Sequence, residues 1–414
     1  MIRKFLVITL VLVTAITSAQ EATSSPYSFF GIGSLNFRGT VENRLMGGIS
    51  IYSDSIHLNL QNPSGLASLK LVAFSVGGSH KLVNQKTQTE TGKTSSTSIN
   101  YLALGIPVGN KLGLSFGVLP LTAVGYDLEN LSGTTLVQNS GKGGMNKVFL
   151  AGGYQVTPKL SIGVDANYNF GNIQNTTLLS QEGLDFASRE SNRSNLSGFS
   201  FNLGATYIEK VFTNLNLFTS IVYTPETKLE SQNFRQFASV FIPNPNLQVD
   251  VDIRDVDVAN SKLTFPSQFT FGLGIGKTRN WFVGAEYTSQ KTSNFNNRTF
   301  TLDNVEFSDA SRYKLGGFFV PTSNSISSYW KRVTYRAGMR YEDTGLVING
   351  EDINEFGISF GVGLPVGKLF SNVNVGFEIG KRGTVNAGLV QENFFNTFIS
   401  LSLNDKWFIK TLYD

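Results

Sequence analysis

The sequence predicts an all-β chain, a transmembrane antiparallel β-barrel of about 14 strands plugged by an N-terminal hatch. Three observations carry this: an export signal, low charge with abundant glycine and phenylalanine, and two-residue alternation in runs long enough to cross a bilayer at a tilt.

The signal comes first in the chain. Arg3 and Lys4 form a basic start, and an apolar run follows from Phe5 to Val13, interrupted only by Thr9. Thr17, Ser18 and Ala19 supply small residues around a cleavage site, so cleavage is expected before Gln20 and residues 1–19 form the signal peptide. As a membrane anchor the apolar run is short of the ~20 residues a spanning helix needs. The chain has 0 cysteines, so no lipid-anchored cysteine follows the site, and stability in the exported compartment must come from something other than disulfides. A closed hydrogen-bonded barrel is one such source.

Composition narrows the class. Only 15% of residues are charged, with 42 Gly and 33 Phe against 4 Met and 2 His; soluble domains carry about 25% charge. The net charge of +4 loses Arg3 and Lys4 with the signal. No basic block remains that would suit nucleic acid. Beyond the signal no apolar stretch approaches the ~18 residues of a spanning helix. A large secreted β-protein shares these features, so periodicity decides.

Alternation is clearest over residues 160–170, where every even position is apolar and every odd one is Ser, Gly, Asp or Asn. Similar runs occupy 112–118, 203–207, 356–364, 373–379 and 397–403. In 281–287 the lipid-facing set is Trp281, Val283, Ala285 and Tyr287. The opposite face is rich in Gly, Ser and Asn rather than Lys and Glu. That suits a lumen packed against a plug better than a water-facing sheet. Short turns at 108–110, 157–159 and 277–280 are read as periplasmic, and the polar segments 174–194, 224–262 and 290–328 as long outer loops. Residues 20–70, Gly- and Ser-rich and weakly alternating, precede the first convincing strand at 71–79 and are assigned to a hatch; residues 71–414 are assigned to the barrel.

Alternation also places charges. Over 333–341 the outward set is Val333, Tyr335, Ala337, Met339 and Tyr341, so Arg336 and Arg340 point inward, as do Asp165, Glu286, Glu378 and Arg382. A lipid-facing charge costs about 2–4 kcal/mol at the midplane. One reading pairs these charges with each other and with Arg38, Glu42 or Arg44 of the hatch. The other gives a ligand carboxylate to Arg336 or Arg340, because a guanidinium suits bidentate carboxylate binding. Asn62, Pro63 and Gly65 read as a turn and as a candidate gating element.

Other constellations are weaker. Asp250, Asp252, Asp255 and Asp257 lack the spacing and glycine of an EF-hand, so no metal is expected. Phe234, Phe237 and Phe241 either meet a ligand or partner or pack beneath their loop. With His57 and His80 as the only histidines and no Gly-x-Ser-x-Gly elbow, no enzyme and no cofactor are expected. Gly361 and Gly363 lie inside an alternating run rather than a nucleotide loop.

The order of several motifs resembles the FadL-type outer-membrane transport proteins for long-chain fatty acids and aromatic hydrocarbons. They are Asn62-Pro63-Ser64-Gly65-Leu66-Ala67 before the first strand, then 266–274, 284–287, 335–338 and 377–383. The resemblance implies a 14-stranded barrel with the hatch inside, as in that family. It also implies passive uptake of a hydrophobic small molecule through the barrel wall, in the cell outer membrane. The same fold hosts accessory or cargo-binding barrels of outer-membrane secretion and assembly machines, so a large outer-membrane protein complex is the alternative partner.

Overall fold

Residues 23–212, 214–244, 247–295, 304–322, 328–366 and 371–407 are described by the computed structural model of the protein. The signal, its cleavage site and Phe408 onward lie outside them.

Among the described residues nineteen strands, β1–β19 in chain order, form one continuous sheet. Fourteen of them close the barrel. These are β2 (Val72–Lys86), β3 (Thr91–Val108), β4 (Leu112–Ser132), β5 (Thr135–Gln155), β6 (Leu160–Gln181), β7 (Phe186–Phe212) and β8 (Leu215–Thr224), continuing with β12 (Gln268–Lys277) and β13 (Trp281–Gln290). The circuit is completed by β15 (Ala310–Phe319), β16 (Thr334–Ile348), β17 (Glu351–Val366), β18 (Ser371–Arg382) and β19 (Gln391–Asp405). All neighbours are antiparallel, and β19 pairs back onto β2 from Gln391↔Lys86 to Asp405↔Val72, leaving no edge at the closure. Closure matters because an unpaired backbone group in hydrocarbon costs several kcal/mol.

The pleat sorts the side chains. Along β6, Ile162, Val164, Tyr168 and Phe170 are exposed to the outside while Asp165, Asn167 and Asn169 are buried within. The same alternation wraps the wall, with Tyr335, Met339 and Tyr341 outward on β16. Val333 is a correction: it is fully buried. It precedes the first paired residue, Thr334↔Gly363, so the pleat does not yet dictate its direction.

The three segments read as outer loops are largely strand. Residues 174–194 are the ends of β6 and β7, which run for 22 and 27 residues, far past the ~9–11 a tilted crossing requires. Residues 224–262 form a hairpin of β9 (Thr227–Asn244) with β10 (Leu247–Val256) and β11 (Ser261–Phe265), and β9 continues the sheet on the upper half of β7. Residues 290–328 contain β14 (Val305–Phe307) and a full barrel strand, β15, whose alternation is interrupted by Gly316 and Gly317. The strands thus project well beyond the bilayer at one end and turn tightly at the other. In outer-membrane barrels the tight-turn end is periplasmic.

The segment ahead of β2 packs inside this wall. It contains β1 (Ser34–Leu35), a one-turn helix α1 (Val41–Arg44) capped by Thr40, and a 3-10 turn Pro63–Ser68 capped by Asn62. Its Val41, Leu45, Leu58, Leu66 and Leu69 form one apolar cluster with the wall residues Tyr101, Ala103, Leu119, Phe149 and Phe398. Glycines make the fit possible. Gly113, Gly153, Gly163 and Gly204 lie opposite one another across β4, β5, β6 and β7. A Cβ on Gly113 would stand 2.0 Å from the Leu66 carbonyl oxygen, and one on Gly163 2.4 Å from the Pro63 carbonyl carbon. On the far wall, Cβ atoms on Gly316 and Gly338 would meet Met46 and Gly47 at 2.1 Å. Only a bare backbone lets hatch and wall approach this closely.

Candidate functional site

The wall is incomplete at one seam. β3 and β4 pair from Val108↔Leu112 up to Leu102↔Val118 and then, among the described residues, share no further pairing. Above that point β3 continues along β2 and β4 continues along β5. Pro120 sits where they part, followed by a bulge between Pro120 and Thr122. Proline brings no N–H to a ladder and a bulge turns the strand, so the two features together divert β4 from its neighbour.

Hatch backbone fills the vacated edge of β4. Ser34 lies opposite Ala123 and Leu35 opposite Thr122. Asn36 N donates to the Leu121 carbonyl at 3.0 Å. Higher up, Gly125 N donates to Ser28 Oγ, and Ser28 Oγ lies 3.1 Å from the Gly125 carbonyl oxygen. Ile32 joins Leu121, Val124, Tyr126 and Met145 in an apolar cluster beneath this contact.

Behind β1 lies a lumen cavity of about 240 Å³, lined by Ile32–Asn36, Phe37, Arg38, Phe265 and Phe295 among others. A second cavity, of about 320 Å³, lies on the other side of the hatch and is lined by Met46, Tyr52, His57, Phe318, Val320 and Arg336.

The inward charges anchor the hatch. Glu378 is gripped by Arg44 of α1 at 2.7 Å and by Arg340 at 3.0 Å. Arg340 also pairs with Glu355, and lies 3.7 Å from Glu342. Arg382 reaches Glu355 at 3.8 Å and donates to Ser34 Oγ at 3.2 Å, tying this network to β1. Glu286 accepts from Lys314 at 2.6 Å and from both the backbone N and the hydroxyl of Ser50 in the hatch. Asp165 accepts from Asn202 at 2.8 Å and lies 3.9 Å from Lys147, apart from the other acids.

The two arginines therefore differ. Arg340 has three carboxylates around it. Arg336 donates to the Asn374 amide oxygen at 2.9 Å, Asn374 in turn donates to Glu42 at 2.8 Å, and Arg336 forms no ion pair among the described residues. Asn62 and Pro63 rest on the glycine track, where Asn62 Nδ2 donates to Thr206 Oγ1 at 3.0 Å and Ser64 Oγ donates to Asn62 Oδ1 at 2.6 Å. Gly65 closes the turn by donating its N–H to the Asn62 carbonyl at 3.1 Å.

His57 and Asp54 form a clip in the second cavity, with Nδ1 2.7 Å from Oδ2. Burial pulls His57 down, but the Asp54 charge and hydrogen bond, with the Glu42 charge, together outweigh it and raise the pKa above its ordinary value. Burial pushes Asp54 up, and His57 with two backbone N–H groups outweighs that and lowers it. His80 lies on β2, where Nδ1 meets Thr97 Oγ1 at 2.8 Å. Asp250 pairs with Arg189 at 2.7 Å, and Asp255 accepts from Gln236, so these acids work as strand-to-strand contacts. Phe234, Phe237 and Phe241 do not pack beneath a loop; all three are exposed on β9.

Lys314, Glu355, Glu342 and Lys147 were not singled out in the sequence. A signal existed for Glu355, which falls at an inward position one residue before the 356–364 run. Pro120 was the available signal for the seam.

The BamG family matches residues 1–414, the whole chain. The chain belongs to the BamG family. No curated protein matches this BamG-family chain by sequence. Its barrel is similar to the toluene transporter TbuX of Ralstonia pickettii, with a TM-score of 0.62 at 16% identity over 89% of this chain and 99% of that one. It is equally similar to the toluene transporter TodX of Pseudomonas putida, at 0.62 and 16% over 91% and 100%. A FadL homologue of Pseudomonas aeruginosa gives 0.55 and 12% over 90% and 98%. The FadL-type resemblance read from motif order is thus a likeness of fold spanning nearly the whole BamG-family chain.

Proposed function

We propose that this BamG-family protein is an outer-membrane channel through which hydrophobic small molecules, such as long-chain fatty acids or hydrocarbons, pass passively by way of the side wall. The observation that carries this reading is the seam above Leu102 and Val118, closed by hatch residues rather than by a barrel strand. A seam at the level of the lipid gives an apolar solute a route that avoids water, and a hatch segment held by a few hydrogen bonds is a closure that thermal motion opens. The likeness in fold to toluene transporters supports the same reading.

Within it, Arg336 is the ligand-binding arginine of the periplasmic cavity, because Arg340 is neutralised by its acids. Asn62, Pro63 and Gly65 form the part of the hatch that must slide on the glycine track for the two cavities to join. The test is uptake of a fluorescent fatty-acid analogue by liposomes carrying the purified barrel. Saturable uptake above that of barrel-free liposomes supports the channel; equal rates refute it.

A second reading, an accessory barrel of an outer-membrane secretion or assembly machine, is favoured by one feature. Phe186, Phe241 and Val249 form an exposed apolar row across β7, β9 and β10. Phe186 lies 13 residues above Phe199 on β7, roughly 40 Å along the strand and beyond the lipid. Recovery of a stoichiometric large partner with the tagged barrel from native membranes, lost on Phe241→Ser, would favour it.

A further inference from the structure

We propose that the outer surface of β18, β19, β2 and β3 holds a glycolipid of the outer leaflet, one that carries two phosphates on a short sugar backbone above its acyl chains. The proposal concerns the outside of the wall and stands whatever passes through the seam.

The register of the four strands sets Lys381, Asn393, Asn84 and Lys93 side by side, as Lys381↔Asn393, Asn393↔Asn84 and Asn84↔Lys93. All four are exposed. They face away from the lumen, because their chain neighbours face into it: Arg382 donates to Ser34, Gln85 donates to the Ser24 carbonyl, and Thr94 accepts from the Ser24 hydroxyl, all within the hatch. The row lies at the end remote from the tight turns, which is the outer-leaflet end.

Directly beneath it on the same strands are Ile379, Phe395 and Leu82, again cross-strand partners and all exposed. Apolar side chains therefore stop where the lysines and amides begin, as they do at a boundary between acyl chains and head groups. Lys86, also exposed, stands one pleat step above Asn84. The lysines in ion pairs among the described residues are Lys147, Lys159, Lys291 and Lys314, so Lys86, Lys93 and Lys381 have none. Of the acids on these strands, Glu378 and Glu392 are buried in the lumen and Asp405 lies at the periplasmic end, while Glu90 is out at the tip of the β2–β3 hairpin.

Spacing selects the lipid class. Paired strands lie about 4.8 Å apart, so Lys381 and Lys93, three spacings distant, stand roughly 14 Å apart with two amides between them. A glycerophospholipid with one phosphate reaches only one of these lysines. Two phosphates bridged by sugars give each lysine an oxyanion and give the amides hydroxyls to bond.

The test is native mass spectrometry of the full-length barrel in maltoside micelles, titrated with diphosphoryl lipid A, its monophosphoryl form and phosphatidylglycerol. The diphosphoryl form should bind at least about fivefold more tightly than either of the others, the factor that one lysine near an anionic lipid head contributes. Lys93→Gln and Lys381→Gln should each weaken its binding about fivefold, and the double variant should bind all three lipids alike. Lys277→Gln, exposed at the periplasmic end of β12, should change nothing. Equal binding of the three lipids by the wild-type barrel, binding of none, or a folded double variant that still prefers the diphosphoryl form would overturn the proposal.

Discussion

Leu35 lies opposite Thr122, in a strand pairing that the barrel itself does not supply. On its other edge β4 pairs with β5; on this edge, above Val118, the paired neighbour is two residues of hatch, flanked by the contacts of Asn36 and Ser28. The closure of the wall therefore depends on where the hatch sits, and the hatch position depends on its glycine seats and its ion pairs.

The glycine seat is testable at Gly163. Gly163→Val would place Cβ 2.4 Å from Pro63 and Ser64 backbone, which no rotamer relieves. The expected cost is about 1–3 kcal/mol of overpacking, taken up by displacement of the 3-10 turn. Limited proteolysis should then cut within residues 50–70 while the barrel keeps its heat-resistant gel mobility. Gly92→Val, where nothing lies within 4 Å, is the control and should change nothing.

The ion-pair anchor centres on Glu378. Glu378→Gln leaves Arg44 and Arg340 short of a buried carboxylate, and the expected loss is about 3–5 kcal/mol. Urea unfolding in micelles measures it. The exposed Lys159–Glu209 pair is the contrast: its N–O distance is also 2.7 Å, but water screens it, and Glu209→Gln should leave the midpoint unmoved.

The Asp54–His57 clip makes hatch stability depend on pH. The raised His57 pKa contributes stability that is fully present below the ordinary histidine value of 6.5 and is lost as pH rises through the folded value. The lowered Asp54 pKa contributes stability that is present above the ordinary 3.8 and is lost as pH falls through its folded value. The clip is therefore whole between these two ordinary values. Hydrogen exchange of residues 50–60 should be slower at about pH 5 than at about pH 9 after correction for intrinsic rates. His57→Asn should remove the difference.

Much of this was legible in the chain. The inward positions of Arg336, Arg340, Asp165, Glu286, Glu378 and Arg382 followed from the two-residue period, because a pleat leaves no other choice once one face meets lipid. The Gly, Ser and Asn inner face likewise announced a packed lumen, and the structure supplies the reason: the hatch backbone rests directly on Gly113, Gly163 and Gly338. What stayed hidden was long-range. Lys314 sits in a strand whose alternation is broken at Gly316 and Gly317, so the strand itself read as loop. The paired extension of β9 onto β7 involves polar, water-facing strands that carry no period signal. The partners of Arg340 lie on three different strands, and spacing alone cannot bring Glu342, Glu355 and Glu378 together.

The seam closure is tested most directly by locking it. The chain has 0 cysteines, so Leu35→Cys with Thr122→Cys introduces a single possible bridge between strands already in register. Opposed residues on antiparallel strands have Cα atoms about 4.5–5.5 Å apart, within the span a disulfide accepts. In liposomes loaded with the oxidised variant, uptake of the fluorescent fatty-acid analogue should fall to the barrel-free rate and return on reduction. Unchanged uptake with the bridge fully formed would contradict passage through the seam.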